Sequence, residues 1–315
     1  MLINRRHTLA LFGAAAGSLI LPRHVMAQAP RRSITVAVQK ITNNNTLDIW
    51  NEQSNVGERV FFPNLWEGLI LRDWMGNQGP VPGLATEWKR LDDKTIELKL
   101  RQGVRFHNGD ELTAEDVVFS FSDERLFAGT EPAGGRTLYA ENFKPQNAKE
   151  LPAGIPGIAR RLWPALRGVE AVDKYTVRFH NATPDVTLEG RLYAFGSQIA
   201  SKRAWDEAAS YAEWANRPVT TGPYRVEEFR PDVSLTLVAF DDYWGGRPPL
   251  ERIRFVEVPE VASRVNGLLS GEYDFACDLR ALVARQSLPG YVLSIERWPG
   301  EPEILAFRPV PSTAR

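Results

Sequence analysis

"LATEWKRLDDKTIELKLRQGVRFHNGDELTAEDVVFSF", residues 84–121, decides the fold class. Its first half alternates apolar and polar residues on both sides of Asp92-Asp93-Lys94, the pattern of a β-hairpin around a turn. Gly103 and Gly109 then bracket a short strand at Val104-Arg105-Phe106. Thr113 precedes Ala114-Glu115-Asp116. A hydroxyl at that place accepts a backbone N–H of the first helical turn, and acids there face the positive end of the helix dipole. Asp116 occupies the third helical position, where a capping box carries Glu or Gln, and is a shorter variant of it. Val117 and Phe121, with Val118, form the buried face of the helix. Strand pairs followed directly by a helix predict a mixed α/β (α+β) chain.

The same stretch holds His107, Glu115 and Asp116, residue types that carry acid–base chemistry. The two acids already have a structural task at the helix start. His107 lies beside the turn residues Asn108-Gly109, with no nucleophile nearby in sequence. The stretch therefore reads as scaffold rather than active site.

A near-copy of the hairpin recurs in "GVEAVDKYTVRFH" (168–180). It reads as a second hairpin of similar design, not as a repeat architecture, because no fixed period continues. "SITVAV" (33–38) is a β-branched alternating strand, and "TNNNT" (42–46) a loop. "GERVFFPNLWEGLI" (57–70) places Val60, Phe61, Leu65 and Trp66 near one helical face, with Pro63 as an interruption. Residues 129–165, rich in Gly, Pro and Ala, read as a long surface excursion. "SKRAWDEAASYAEWAN" (201–216) reads as one helix. Residues 221–240 read as strand, turn at Pro231-Asp232, strand, and 241–260 as a turn-rich link into another strand. A helix ended by Gly271 and a short strand follow in 260–276, then strands at 291–298 and 303–307.

Composition narrows the function classes. The chain has 315 residues, of which 43% are hydrophobic and 24% charged, enough for a large core. A formal net charge of −1 supplies no general field for nucleic acid, and no nucleic-acid partner is expected. The single cysteine, Cys277, cannot form an internal disulfide. The four histidines, His7, His24, His107 and His180, show no zinc-ligand spacing, so no metal and no cofactor is expected. Asp92-Asp93 and Asp241-Asp242 read as turn residues. A secreted hydrolase would need a nucleophile, and no G-x-S-x-G elbow is present. No catalytic residue is assigned, and the chain is not expected to be an enzyme.

The first residues read as an address. Arg5-Arg6 precede an apolar run from Leu9 to Leu21 and the small-residue pattern around Ala27 and Ala29. Residues 1–29 are expected to be a signal peptide, by the twin-arginine or the general route. No lipid-anchor cysteine follows it, so the mature chain is expected in the periplasm.

Several segments together resemble a known family. They are "LWEGLI" (65–70), the 84–121 stretch, "TGPYRVEEF" (221–229), "YWGGRPPLERIRF" (243–255), "SRVNGLLSGEYDF" (263–275) and "ILAF" (304–307). In this order they are similar to the extracytoplasmic solute-binding proteins of ABC transporters, of the peptide/nickel/oligopeptide class. The resemblance implies a two-lobed periplasmic binding protein that passes a peptide or other small solute to a membrane permease coupled to ATPase subunits. It implies a first lobe over 30–276, with an inserted subdomain at about 55–200. Residues 277–315 would be a hinge and the start of a second lobe, truncated relative to the family. By the same analogy, ligand would meet Thr42, Asn43, Asn44 and Asn45 after the first strand. It would also meet Cys277 and Asp278, and Trp298 and Gly300 before the last strand. A remnant without transport function, or a periplasmic interaction module, is the alternative.

Overall fold

The computed structural model describes residues 33–52, 57, 60–73, 76–127, 149–194 and 196–279, and the backbone of 291–296 and 304–309. The expected signal peptide, Trp298 and Gly300 lie outside the described residues. The strands in chain order are β1 (Ser33–Val38), β2 (Ile70–Arg72), β3 (Pro80–Pro82), β4 (Ala85–Arg90), β5 (Thr95–Leu100), β6 (Leu166–Asp173) and β7 (Thr176–Asn181). They continue with β8 (Tyr224–Arg230), β9 (Ser234–Ala239), β10 (Arg252–Glu257), β11 (Phe275–Ala276), β12 (Tyr291–Glu296) and β13 (Ile304–Pro309).

Both hairpins read from sequence form, and they join. β4 pairs with β5 and β6 with β7, and β5 then pairs antiparallel with β7, giving one sheet in the order β4-β5-β7-β6. Alternation gives this sheet two unlike faces. Ile96, Leu98, Leu100, Val177 and Phe179 are buried on one. The helix Ala114–Ser120 packs there through Val117 and Val118, and Phe121 stands edge-on to Trp163 and Phe179 at centroid distances of 5.0 and 4.9 Å. The other face carries a rung of alternating charge, Lys89–Glu97–Arg178–Glu170, one residue per strand. Arg178 bridges Glu97 at 2.8 Å, and His180 Nε2 meets Glu170 at 3.0 Å. Opposite charges across neighbouring strands add a little stability and keep this face polar.

The helix start follows the sequence reading. Asp116 accepts the Thr113 N–H at 3.0 Å, completing a capping box with Thr113. The Thr113 hydroxyl also points at Asp116, at 3.3 Å. Asp116 reaches further than its own helix, accepting the N–H of Lys202 at 3.0 Å from the start of the helix Lys202–Glu207. Thr113→Ala should therefore lower unfolding free energy by about 0.5–2 kcal/mol. A urea titration checks this, and an unchanged midpoint would show that Asp116 alone caps the helix.

The second sheet has the order β11-β1-β10-β9-β8. Its β1 runs parallel to both β10 and β11, while β9 is antiparallel to β10 and to β8. The parallel pairing follows from the helix Val261–Ser270, which leads from β10 back to β11. That helix ends at Gly271, whose φ of 79° is the left-handed conformation glycine tolerates best. β12 and β13 overlap the two terminal stretches read as strands, and they form an antiparallel pair.

Three local expectations are corrected. Residues 201–216 form two helices, Lys202–Glu207 and Tyr211–Asn216. Ala208 is extended, and Ser210 restarts the chain as an N-cap that accepts the Glu213 N–H, so polar capping overrides the alanine content. Residues 57–70 do not continue as one helix. Phe62–Leu65 is helical and Trp66 is already extended. Beyond it, the carbonyls of Leu65, Glu67 and Gly68 accept from Gly222, Ile199 and Leu84 instead of from the next helical turn. Within the excursion expected at 129–165, Gly154–Leu162 is a helix that buries Ile155 and Ala159.

Candidate functional site

Three parallel strands, β11, β1 and β10, lie side by side, so their carboxyl ends share one edge of the sheet. Open sheets of this kind present ligand sites outside the carboxyl ends of the strands. The loop after β1 contains Thr42 to Asn45, and Cys277 and Asp278 follow β11 directly. Of the eight residues expected at a site, the structure thus gathers Thr42, Asn43, Asn44, Asn45, Cys277 and Asp278 at one edge.

Two carboxylates not expected from the sequence hold the first loop. Glu257, the last residue of β10, accepts the Ile41 N–H at 3.0 Å. Buried Glu52 accepts the N–H of Asn43 at 2.6 Å and of Asn44 at 3.1 Å. Thr42 between them is buried, while Asn43, Asn44 and Asn45 are exposed. Asn45 has a φ of 51°, and its amide donates to Asp232 at 3.2 Å. Asparagine tolerates this left-handed conformation better than most residues. The backbone of the loop is therefore fixed from behind, and the exposed amides of Asn44 and Asn45 are themselves tied, to the Asn51 carbonyl and to Asp232. On the neighbouring strand, the Cys277 N–H donates to Ala37 at 2.9 Å and the side chain is exposed. Asp278 then turns out of the sheet with a φ of 57°.

The residues with acid–base potential lie elsewhere and are occupied. His107 Nε2 donates to the Gly222 carbonyl at 3.0 Å, and its own N–H bonds Thr220 at 2.9 Å. The ring stands edge-on to Phe240. Its Nδ1 is buried without a partner, and burial pushes the imidazole down from its ordinary value to about 4. A neutral ring bolted to the backbone serves the scaffold. The segment it grips is tight: a Cβ on Gly222 would sit 2.3 Å from the Leu65 carbonyl oxygen. Glu67 accepts from Thr221 at 2.9 Å and from Tyr243 and Trp244 at 2.8 Å each. Burial raises its carboxyl above the usual range against the pull of these donors. Arg101 lies 4.2 Å over the Trp244 ring. Asp48, fully buried, binds Arg125 at 2.6 Å and the Tyr211 hydroxyl at 2.7 Å. Among the described residues no group of three or more His, Cys, Asp and Glu is placed to hold a metal. Asp92 caps its own turn through the Lys94 N–H, and Asp241 pairs with Arg247.

Loops gathered at the carboxyl edge of a mixed sheet are compatible with a ligand site. The comparisons agree. The model of the bacterial extracellular solute-binding proteins, family 5 (middle region), matches residues 79–309, and the chain belongs to that family. The dipeptide-binding protein of Escherichia coli is 28% identical over 63% of this chain and 36% of its own length. Heme-binding protein A of Haemophilus influenzae is 28% identical over 84% of this chain and 49% of its own. Among solved structures, the periplasmic binding protein DppA of Helicobacter pylori, in complex with a peptide STSA, superposes with a TM-score of 0.68. It is 23% identical, over 84% of this chain and 50% of its own. A nickel ABC transporter structure from Bacillus halodurans gives 0.63 at 24% identity, with 84% and 47% covered. The chain thus spans about half the length of these relatives or less. Among the described residues, no helix is long and apolar enough to cross a membrane.

Proposed function

We propose that this chain captures peptides or related small solutes in the periplasm and delivers them to an ABC permease driven by ATPase subunits. One observation carries the reading: in a family 5 chain, the exposed loop Asn43 to Asn45 and the Cys277-Asp278 bend follow the carboxyl ends of two neighbouring parallel strands. Exposed amides on a fixed backbone suit the alternating donors and acceptors of a peptide. Relatives named for dipeptide and heme binding support the breadth of small solutes. Residues 30–276 form the first lobe in this reading, the segment at about 55–200 its inserted subdomain, and 277–315 the hinge and the start of a second lobe. Residues 1–29 are the export signal.

Deleting the gene in its native host should abolish uptake of one class of peptide or solute, and the intact gene should restore it. Uptake of every tested class at the parental rate would sink the proposal. Calorimetry adds a second expectation. A polypeptide of residues 31–315 presents one wall of a clamp, and a one-walled site leaves ligand polar groups facing water. Each 1.4 kcal/mol of lost contact weakens binding about tenfold. Titration with di- to pentapeptides should give weak heats or none, and micromolar or tighter binding would show that one wall suffices.

A further inference from the structure

The helix Val261–Ser270 carries one arginine, Arg264, whose side chain is buried in the lobe. Its Nη1 donates to the carbonyls of Val258 and Pro259, the latter at 2.8 Å, and its Nη2 donates to the Asp278 carbonyl at 3.0 Å. These acceptors belong to two different loops. Val258 and Pro259 leave β10, and Asp278 leaves β11. The two strands are not neighbours, because β1 lies between them. One guanidinium therefore ties together the segments at the two flanks of β1.

The second flank needs a tie. Asp278 adopts a φ of 57°, a left-handed conformation that a residue with a side chain holds less readily than glycine. The bend comes directly after the Cys277 N–H bonds Ala37. Past that point β11 has no further ladder to follow. A planar guanidinium meets several carbonyls at fixed angles, which a lysine ammonium on one nitrogen does not. Arg264 Nε has no partner, so the arrangement gives up one donor to keep the other contacts.

We propose that Arg264 is a positioning residue that sets the direction in which the chain leaves β11, and so fixes the Cys277-Asp278 bend against the loop after β10. If the carboxyl edge receives solute, Arg264 shapes one side of that site before ligand arrives. That consequence rests on the solute-binding reading. The test does not, because it uses the chain without ligand.

Cys277 is exposed and is the chain's one cysteine, so a nitroxide can be attached to it directly. Arg264→Met should turn an immobilised spectrum into a mobile one. It should also speed amide exchange around 258–260 and 276–279 by about tenfold or more, the factor that 1.4 kcal/mol represents. Exchange in β8 and β9 should stay unchanged. Arg264→Lys keeps the charge but not the fork, and should not restore protection at Cys277. Asp278→Pro answers the same question should Arg264→Met fail to fold. Proline fixes φ near −65° and cannot hold the bend, so the label should become mobile with Arg264 intact. Asp278→Gly accepts a positive φ and should keep it immobile. The proposal is overturned by an unchanged label and exchange in Arg264→Met, by equal acceleration in β8 and β9, or by full recovery with lysine. A label that stays immobile in Asp278→Pro overturns it as well.

Discussion

Asp48→Ala should lower folding stability by about 3–5 kcal/mol, the cost of leaving a buried charge without its partner. Arg125 lies with its guanidinium 4.5 Å over the Trp214 ring and 5.5 Å over that of Trp205, closed off from water. The 2.6 Å contact with Asp48 is the charge that balances it, and Arg125 Nη1 already lacks a partner. Asp48 also accepts the Trp50 N–H at 3.2 Å and the Tyr211 hydroxyl at 2.7 Å, so three elements loosen at once. Domains of this kind are stable by only about 5–15 kcal/mol in total, so the loss takes a large share. Replacing both partners, as Asp48→Leu with Arg125→Met, should cost much less than Asp48→Ala alone, since no charge is left stranded. Denaturant midpoints of the single and double variants give the comparison. A double variant as unstable as the sum of the singles would show that packing, not the unpaired charge, sets the cost.

The same pair bears on the candidate site. The Asp48 carbonyl accepts the Glu52 N–H at 2.9 Å, and Glu52 holds the backbone of Asn43 and Asn44. The Asn43-Asn44 part of the loop is therefore linked to the buried ion pair through Glu52. A variant that weakens the pair should disorder the loop before it unfolds the rest of the fold, because local openings need less free energy than global unfolding.

What was legible in the sequence is what period and turn chemistry encode. The alternation around Asp92-Asp93-Lys94 and around Asp173-Lys174 gave both hairpins, and Thr113 with Asp116 gave the helix start. These signals are local, so they survive without knowledge of the rest of the chain. The joining of β5 to β7 was not legible, because hydrophobic alternation says which face is buried but not which strand is the neighbour. Glu52 and Glu257 were missed for a related reason. An acid in a loop or at a strand end looks solvated until the backbone N–H groups it accepts are known. Glu67 is the extreme case, with partners 154 to 177 residues away. The break at Ala208 could have been found: Ser210 followed three residues later by Glu213 is a capping-box pattern inside an alanine-rich run.

His107 and Asp116 should tilt the pH dependence of stability in opposite directions. His107 falls from 6.5 to about 4, with burial the largest cause, the Gly222 hydrogen bond opposing it and the Arg225 charge adding to it. Between those values the unfolded chain binds the proton and the folded chain does not, so this group's contribution is complete above pH 6.5 and is lost as pH falls towards 4. Asp116 rises from 3.8 to about 6, with burial again the largest cause, opposed by the N–H groups of Lys202 and Thr113. Here the folded chain binds the proton first, so this contribution is complete below 3.8 and is lost as pH rises through 6. Each shift corresponds to up to about 3 kcal/mol at 1.36 kcal/mol per pH unit. From pH 6 down to 4 the two slopes nearly cancel. Removing one group should uncover the other. Relative to the parent, His107→Asn should gain stability progressively as pH falls from 6.5 to 4. Asp116→Asn should lose it over 6 to 4. Urea unfolding of both variants and the parent at half-unit pH steps measures the two differences, and the acids common to all three chains drop out. A difference for His107→Asn that stays flat from pH 6.5 to 4 would mean that Nδ1 takes up a proton in the folded chain as easily as in the unfolded one. The closed pocket between Gly222 and Phe240 would then not be keeping the ring neutral.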